Sequence, residues 1–221
     1  MTDSAEAVSD RARVRRHPER GSYERTQAYA ILDAGQIAHV GFAIDGQPYV
    51  IPMLYARLGN RVLLHGNVGS RMLRHLVGGA PCCITVTHLD GWVLARSQFS
   101  HSANYRSVVV FGSARSIDDS QRKAAAMAHL VDALIPGRAA DARPADPQEL
   151  AATSVLEIEI DDCSVKTRSG PPKDHPDDLS WPTWAGVIPL TLTPGKPEPA
   201  PDLVAGHQLR DYWVVKPSPA L

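Results

Sequence analysis

The chain has 221 residues, with 23 basic and 24 acidic side chains and a formal charge of −1, which suits one large or two small domains and argues against a polybasic nucleic-acid tail. No run approaches the roughly 18 apolar residues that span a bilayer, and the first twenty residues lack the apolar centre of a secretory signal. Three cysteines, Cys82, Cys83 and Cys163, make a poor disulfide framework, so the expectation is a soluble, cytoplasmic globular protein without membrane or nucleic-acid partners.

Residues 1–21 are polar, end in "RRHPERGS" with Ser22, and read as a flexible arm. Ser22 is a candidate cap for a first helix, "YERTQAYAILDAG", which stops at Gly35. The period then changes. "QIAHVGFAI", "QPYVIPMLYARL" and "RVLLHG" are short β-rich runs separated by Asp45-Gly46 and Gly59-Asn60, the pattern of antiparallel hairpins. "SRMLRHLVGG" reads as a short helix with a glycine stop. Two longer strands follow, "PCCITVTHLDGWVLARS", with a break at Asp90-Gly91, and "YRSVVVFGSARSI".

Asp118 or Asp119 opens a helix over "DSQRKAAAMAHLVDALI", which ends before Pro136-Gly137. "GRAADARPADP" is a linker by composition, and "TSVLEIEID" and "CSVKTRS" are the last alternating strands. Residues 170–221 are proline-rich and read as an irregular extension packing on the barrel or on a dimer partner, anchored at Trp181, Trp184 and Trp213. The strands are not regularly separated by helices, so the pattern predicts a mainly β, α+β chain. Its six or so antiparallel strands form a small barrel over residues 22–169, not a doubly wound parallel sheet.

Two stretches concentrate chemistry. In "LLHGNVGSRML", residues 63–73, a strand would put Arg61, Leu63 and His65 on one face and Val62 and Leu64 on the other. Glycines at 66 and 69 allow close backbone approach, and Ser70 and Arg71 then stand at a helix start. That arrangement is either ordinary strand-to-helix punctuation with a serine cap or a seat for an anion, with arginine supplying a bidentate contact. In "HSANYRSVVVFGSA", residues 101–114, His101, Ser102, Asn104, Tyr105, Arg106 and Ser107 either line a pocket or form a loop feeding a buried strand. The nine histidines include no paired metal-binding spacing, and no GxSxG, P-loop or GxGxxG is present.

Taken together, "RVLLHGNVGSR", "YRSVVVFGSA", "YVIPMLY" and "WAGVIPL" resemble the FMN-binding split-barrel superfamily of pyridoxamine 5′-phosphate oxidase. The likeness is strongest to its flavin-nucleotide-binding branch, which is related to nitroimidazole-resistance proteins, and spans roughly residues 22–192. It implies a homodimer with FMN at the interface. By position, Ser70 and Arg71 hold the phosphate, and backbone around Ile51, Pro52, Leu63 and Leu64 borders the ring. His65 lies near the flavin as a candidate catalytic group, while Arg106 and Ser107 reach phosphate or flavin, including across the dimer. Met72 replaces the expected lysine and Ser107 a glutamine, and the oxidase's C-terminal substrate-binding pattern has no counterpart. The resemblance therefore implies an FMN-dependent oxidoreductase acting on a small molecule other than pyridoxamine phosphate. The alternatives are a flavin or haem carrier or sensor on the same barrel, with His65, His75 or His101 as axial ligand, and a cofactor-free structural dimer.

Overall fold

A computed structural model describes residues 8–212. In chain order its elements are β1 (Gly21–Ser22), α1 (Arg25–Ala34), β2 (Ile37–Ile44), β3 (Gln47–Leu58), β4 (Arg61–Asn67), α2 (Arg71–Val77), β5 (Pro81–Leu94) and β6 (Ser102–Ser116). There follow α3 (Ser120–Leu134), α4 (Arg138–Asp141), α5 (Pro147–Ala152), β7 (Thr153–Glu159), β8 (Asp162–Arg168) and β9 (Gly186–Pro189).

Every strand pairing is antiparallel. Strands β2, β3, β4, β7, β6 and β5 close a ring, which β8 and β1 extend from β6 and β9 extends from β5. The β2–β3 hairpin turns on Asp45 and Gly46, both at positive φ (50° and 80°). This is the two-residue primed turn whose twist matches paired strands. Alternation fills the ring: Val40, Ile84, Val86, Val108, Val110 and Val165 point inward. Ile31 and Leu32 of α1 and Met72, Leu73 and Leu76 of α2 complete this core. A second core lies outside the ring, where Ala126 and Leu130 of α3 cover Ala56, Leu63 and Val155. Leu63 and Leu64 are both fully buried because neighbouring residues on one strand serve different cores.

Several local expectations change. Ser22 is not the cap of α1; it pairs with Val165 in β1, and Glu24 takes the cap position without a side-chain bond. The stretch 137–147 holds α4 and the start of α5, the latter opened by a capping box of Asp146 and Glu149. The proline-rich region contributes β9, paired with β5. The break at Asp90-Gly91 is a bulge inside a continuous β5. Along residues 8–21 the arm lies on β8. Ser9 and Arg11 bond Asp162, Lys166 Nζ donates to the Arg16 carbonyl at 2.8 Å, and Ala12 is buried. Trp213 lies outside the described residues, among which no helix is long and apolar enough to cross a membrane.

Candidate functional site

The ring is split between two adjacent strands. β3 pairs with β2 along residues 47–54 but with β4 only from Tyr55 to Leu58, opposite Leu64 to Arg61. β4 runs on through His65, Gly66 and Asn67 paired with β7 alone. Facing edges of β3 and β4 therefore leave the ladder unpaired, presenting backbone donors and acceptors that a bound group can engage. Pro52, which lacks an N–H, sits in this edge stretch and so weakens the ladder little.

His65 is the first β4 residue past the last β3 pair. Its Nδ1 is buried with no hydrogen-bond partner among the described residues, and burial lowers the pKa of the ring. Gly66 lies close under α2: a Cβ there would stand 2.9 Å from Leu73 Cδ1, so the end of that side chain would have to shift. The chain then turns. Asn67 Oδ1 accepts from Gly69 N at 2.7 Å, its carbonyl accepts from Ser70 N at 2.9 Å, and Ser70 Oγ accepts from Leu73 N at 3.4 Å. Ser70 is thus the cap of α2, as its residue type predicts.

Arg71 is exposed and has no carboxylate partner among the described residues; its guanidinium carbon lies 4.6 Å from the Tyr49 ring centroid. Tyr49 stacks on Phe42 at 5.4 Å, and Phe42 meets the His75 ring at 5.9 Å. Arg71 and His75, one helical turn apart, so flank an aromatic pair on the β2–β3 hairpin. Nε2 of His75 is likewise buried and without a hydrogen-bond partner among the described residues. Tyr49, Phe42 and Asn67 stand beside these residues and were not nominated from motifs.

Ile51 and Pro52 lie on β3, Leu63 and Leu64 on β4, and Arg106 and Ser107 on β6. Ile51 points inward and is half-buried, whereas Pro52 is exposed on the outer face. The side chains of Leu63 and Leu64 are committed to the two cores. Arg106 is buried and bonded by both carboxylate oxygens of Asp90, at 2.9 and 2.8 Å. Ser107, on the opposite face, donates to the Lys166 carbonyl at 3.1 Å. Arg106 pairs in register with His88, whose Nε2 meets the Ile31 carbonyl of α1 at 3.0 Å. The Arg106–Asp90 pair thus sits toward the α1 end of β5. His101 is exposed, with Nδ1 already bonded to the Ser97 carbonyl.

The outer sheet face beside the split is apolar and uncovered. Register aligns Ile37 with Leu54, His39 with Pro52 and Gly41 with Val50, and Ile37, Val50 and Leu54 are 46%, 67% and 41% exposed. On the same face farther along β5, Leu89 and Trp92 are exposed, the latter beside Ile188 of β9.

The family model described as pyridoxamine 5′-phosphate oxidase matches residues 24–167. This chain belongs to the pyridoxamine 5′-phosphate oxidase family. The flavocytochrome Anf3 from Azotobacter vinelandii has 39% sequence identity, with 93% of this chain and 96% of that one covered at a TM-score of 0.88. The FAD and heme binding protein from Mycobacterium smegmatis has 40% identity, covering 87% and 94% at 0.83. A candidate 5-nitroimidazole antibiotic resistance protein from Bacteroides thetaiotaomicron shares the fold at 20% identity, covering 66% and 85% at 0.55. A search of curated proteins gives no match.

Within the pyridoxamine 5′-phosphate oxidase family, the departure at Met72 has a packing cause. Met72 is buried in the ring core under α2, so that position presents no charge to a ligand. A cleft of about 260 Å³ between α1, β3 and α3 lies apart from Ser70 and Arg71. Its polar groups largely bond one another: Arg57 grips Asp33 with two bonds of 2.7 and 2.6 Å, His129 Nε2 meets the Arg57 carbonyl, and Tyr55 donates to the Leu32 carbonyl.

Proposed function

We propose that this chain is a flavin-dependent oxidoreductase of small-molecule substrates, working as a homodimer with its flavin in the split between β3 and β4. The observation that carries this reading is the placement of an exposed arginine, without a carboxylate partner among the described residues, beside unpaired edges of β3 and β4. Arg71 and the Ser70 turn would hold the phosphate end, since a guanidinium matches phosphate oxygens bidentately. Backbone groups of residues 51–54 and 65–67 would hold the ring. Bound flavin supplies the redox chemistry. His65 keeps a neutral imidazole at that edge, where Nδ1 can accept or return a proton. The exposed face of Ile37, Val50, Leu54 and Trp92 is the surface a second copy would cover.

Haem beside flavin is a second reading, favoured by the buried nitrogens of His65 and His75 that have no partner among the described residues. Imidazole is a fitting iron ligand, and two relatives near 40% identity are described as a flavocytochrome and as an FAD and heme binding protein. His101 is the weaker candidate because it is exposed, although its Nδ1 bond to the Ser97 carbonyl leaves Nε2 for a metal. The three free cysteines suit the cytoplasm.

The absorbance spectrum of purified protein tests both readings. A flavin band near 450 nm is expected, with a Soret band near 400 nm if haem is present (approximate positions set by cofactor chemistry). Chromatography of the released flavin separates FMN from FAD. A colourless protein that takes up neither flavin on titration would overturn the proposal. Light scattering should give about twice the 23.9 kDa chain mass. A stable monomer at micromolar concentration would remove the dimer.

A further inference from the structure

Arg168, the last residue of β8, is only 8% exposed, yet its guanidinium meets neutral acceptors alone among the described residues. Nη1 donates to Asn104 Oδ1 and, at 3.3 Å, to the Gly170 carbonyl, and Nη2 donates to the Pro171 carbonyl at 3.1 Å. A guanidinium carries five N–H donors, so Nε and one hydrogen of Nη2 have no acceptor among the described residues. The fully buried side-chain nitrogens that lack a partner there are those of His65 and His75, so the unbonded Nε of Arg168 opens to solvent.

This pattern sets Arg168 apart. Arg57, Arg96 and Arg106, whose side chains are also mostly buried, each hold an aspartate: Asp33, Asp174 and Asp90. A cation taken out of water is costly unless an opposite charge faces it. Arg168 faces a second cation instead. β1 pairs with β8 through Gly21 with Lys166 and Ser22 with Val165, which brings Arg20 level with Thr167 and beside Arg168. Burial, and then repulsion by Arg20, lowers the pKa of Arg168. The side chain of Arg20 is itself 26% exposed, and its one carboxylate among the described residues is Glu19, at 3.7 Å and shared with His17.

We infer that Arg168 and Arg20 form a seat for a phosphate group, either the free ion or the monoester of a small molecule. Two guanidiniums held together against their repulsion are stabilised by an anion between them. Phosphate fits because its charge near neutral pH approaches −2, matching two cations where a chloride or a single carboxylate would match one. Its oxygens also accept the paired N–H groups of a guanidinium edge. The seat uses no residue of the flavin reading and stands or falls independently of it.

Calorimetric titration of the full chain with inorganic phosphate and with glycerol 3-phosphate, at constant ionic strength, tests the seat. Arg71→Ala, titrated alongside, accounts for phosphate taken up at Arg71 and should keep the Arg168 site. Arg20→Ser, a change at a partly exposed side chain, should weaken binding at least tenfold, and Arg168→Met should abolish it. Saturating phosphate should raise the melting temperature of wild type and leave that of Arg20→Ser nearly unchanged, a readout that does not need Arg168→Met to fold. Tighter binding of glycerol 3-phosphate supports the seat with a monoester as occupant, and tighter binding of inorganic phosphate supports it with the free ion. A protein that binds neither probe overturns the inference, as does binding that survives Arg20→Ser undiminished or vanishes in Arg71→Ala.

Discussion

The guanidinium of Arg71 rests over the ring of Tyr49, its carbon 4.6 Å from the centroid, so a cation at the mouth of the split is positioned by an aromatic ring and, among the described residues, by no carboxylate. Its charge remains available to an anion. Arg71→Ala should weaken flavin binding by roughly ten- to a hundredfold, the worth of a charge-assisted contact of about 1.5–3 kcal/mol. Arg71→Lys should lose less, because it keeps the charge but not the planar fork that stacks and binds bidentately. Fluorescence titration of cofactor-free protein with FMN and FAD is the measurement, and equal affinities for wild type and Arg71→Ala would remove Arg71 from the site.

His65 makes stability depend on pH. Burial lowers its pKa in the fold, so between the folded value and the ordinary one near 6.5 the unfolded chain binds more protons than the native protein. The contribution of neutral His65 is fully present above about pH 6.5 and is lost as pH falls toward the folded value. Urea unfolding of cofactor-free protein at pH 7.5 and at pH 5 should show a smaller loss on acidification for His65→Gln than for wild type. Identical losses would show that His65 is not buried in this way.

Asp90→Asn should destabilise the fold by about 2–4 kcal/mol. It removes the charge that meets a buried guanidinium, and breaking such a pair costs most when one member is desolvated. The side chain of Arg106 is 5% exposed and that of Asp90 30%, which places the effect below that of a fully buried pair. Thermal melting of the variant beside wild type measures it, and a shift of under a degree would contradict the buried pairing.

Tyr55→Phe isolates a single hydrogen bond. The buried hydroxyl donates to the Leu32 carbonyl at the end of α1, and burial raises its pKa, consistent with a neutral donor. Gly35 N also reaches that carbonyl, at 3.3 Å, so the loss should be about 1 kcal/mol, the net worth of one bond without an orphaned acceptor. Chemical denaturation should show a lower midpoint with an unchanged slope.

Local chemistry made much of the fold legible before any contact was known. Asp45-Gly46 dictates a primed hairpin turn, the β-branched and aromatic run "VVVF" dictates a strand, and Ser70 before an apolar run dictates a helix cap. These are short-range effects of backbone sterics and period. The capping box at Asp146 and Glu149 was equally local, and the linker reading of that stretch gave composition too much weight. Long-range pairing decided the rest. Alternation states that Arg106 and Ser107 face opposite ways, but only the register with β5 and β8 shows Arg106 turned inward to Asp90. Two adjacent leucines, Leu63 and Leu64, are both buried because α3, far along the chain, covers the outside of β4. The split itself is invisible in the sequence. It exists because β3 changes partner at Tyr55, and strand pairing belongs to the assembled sheet, not to either strand alone.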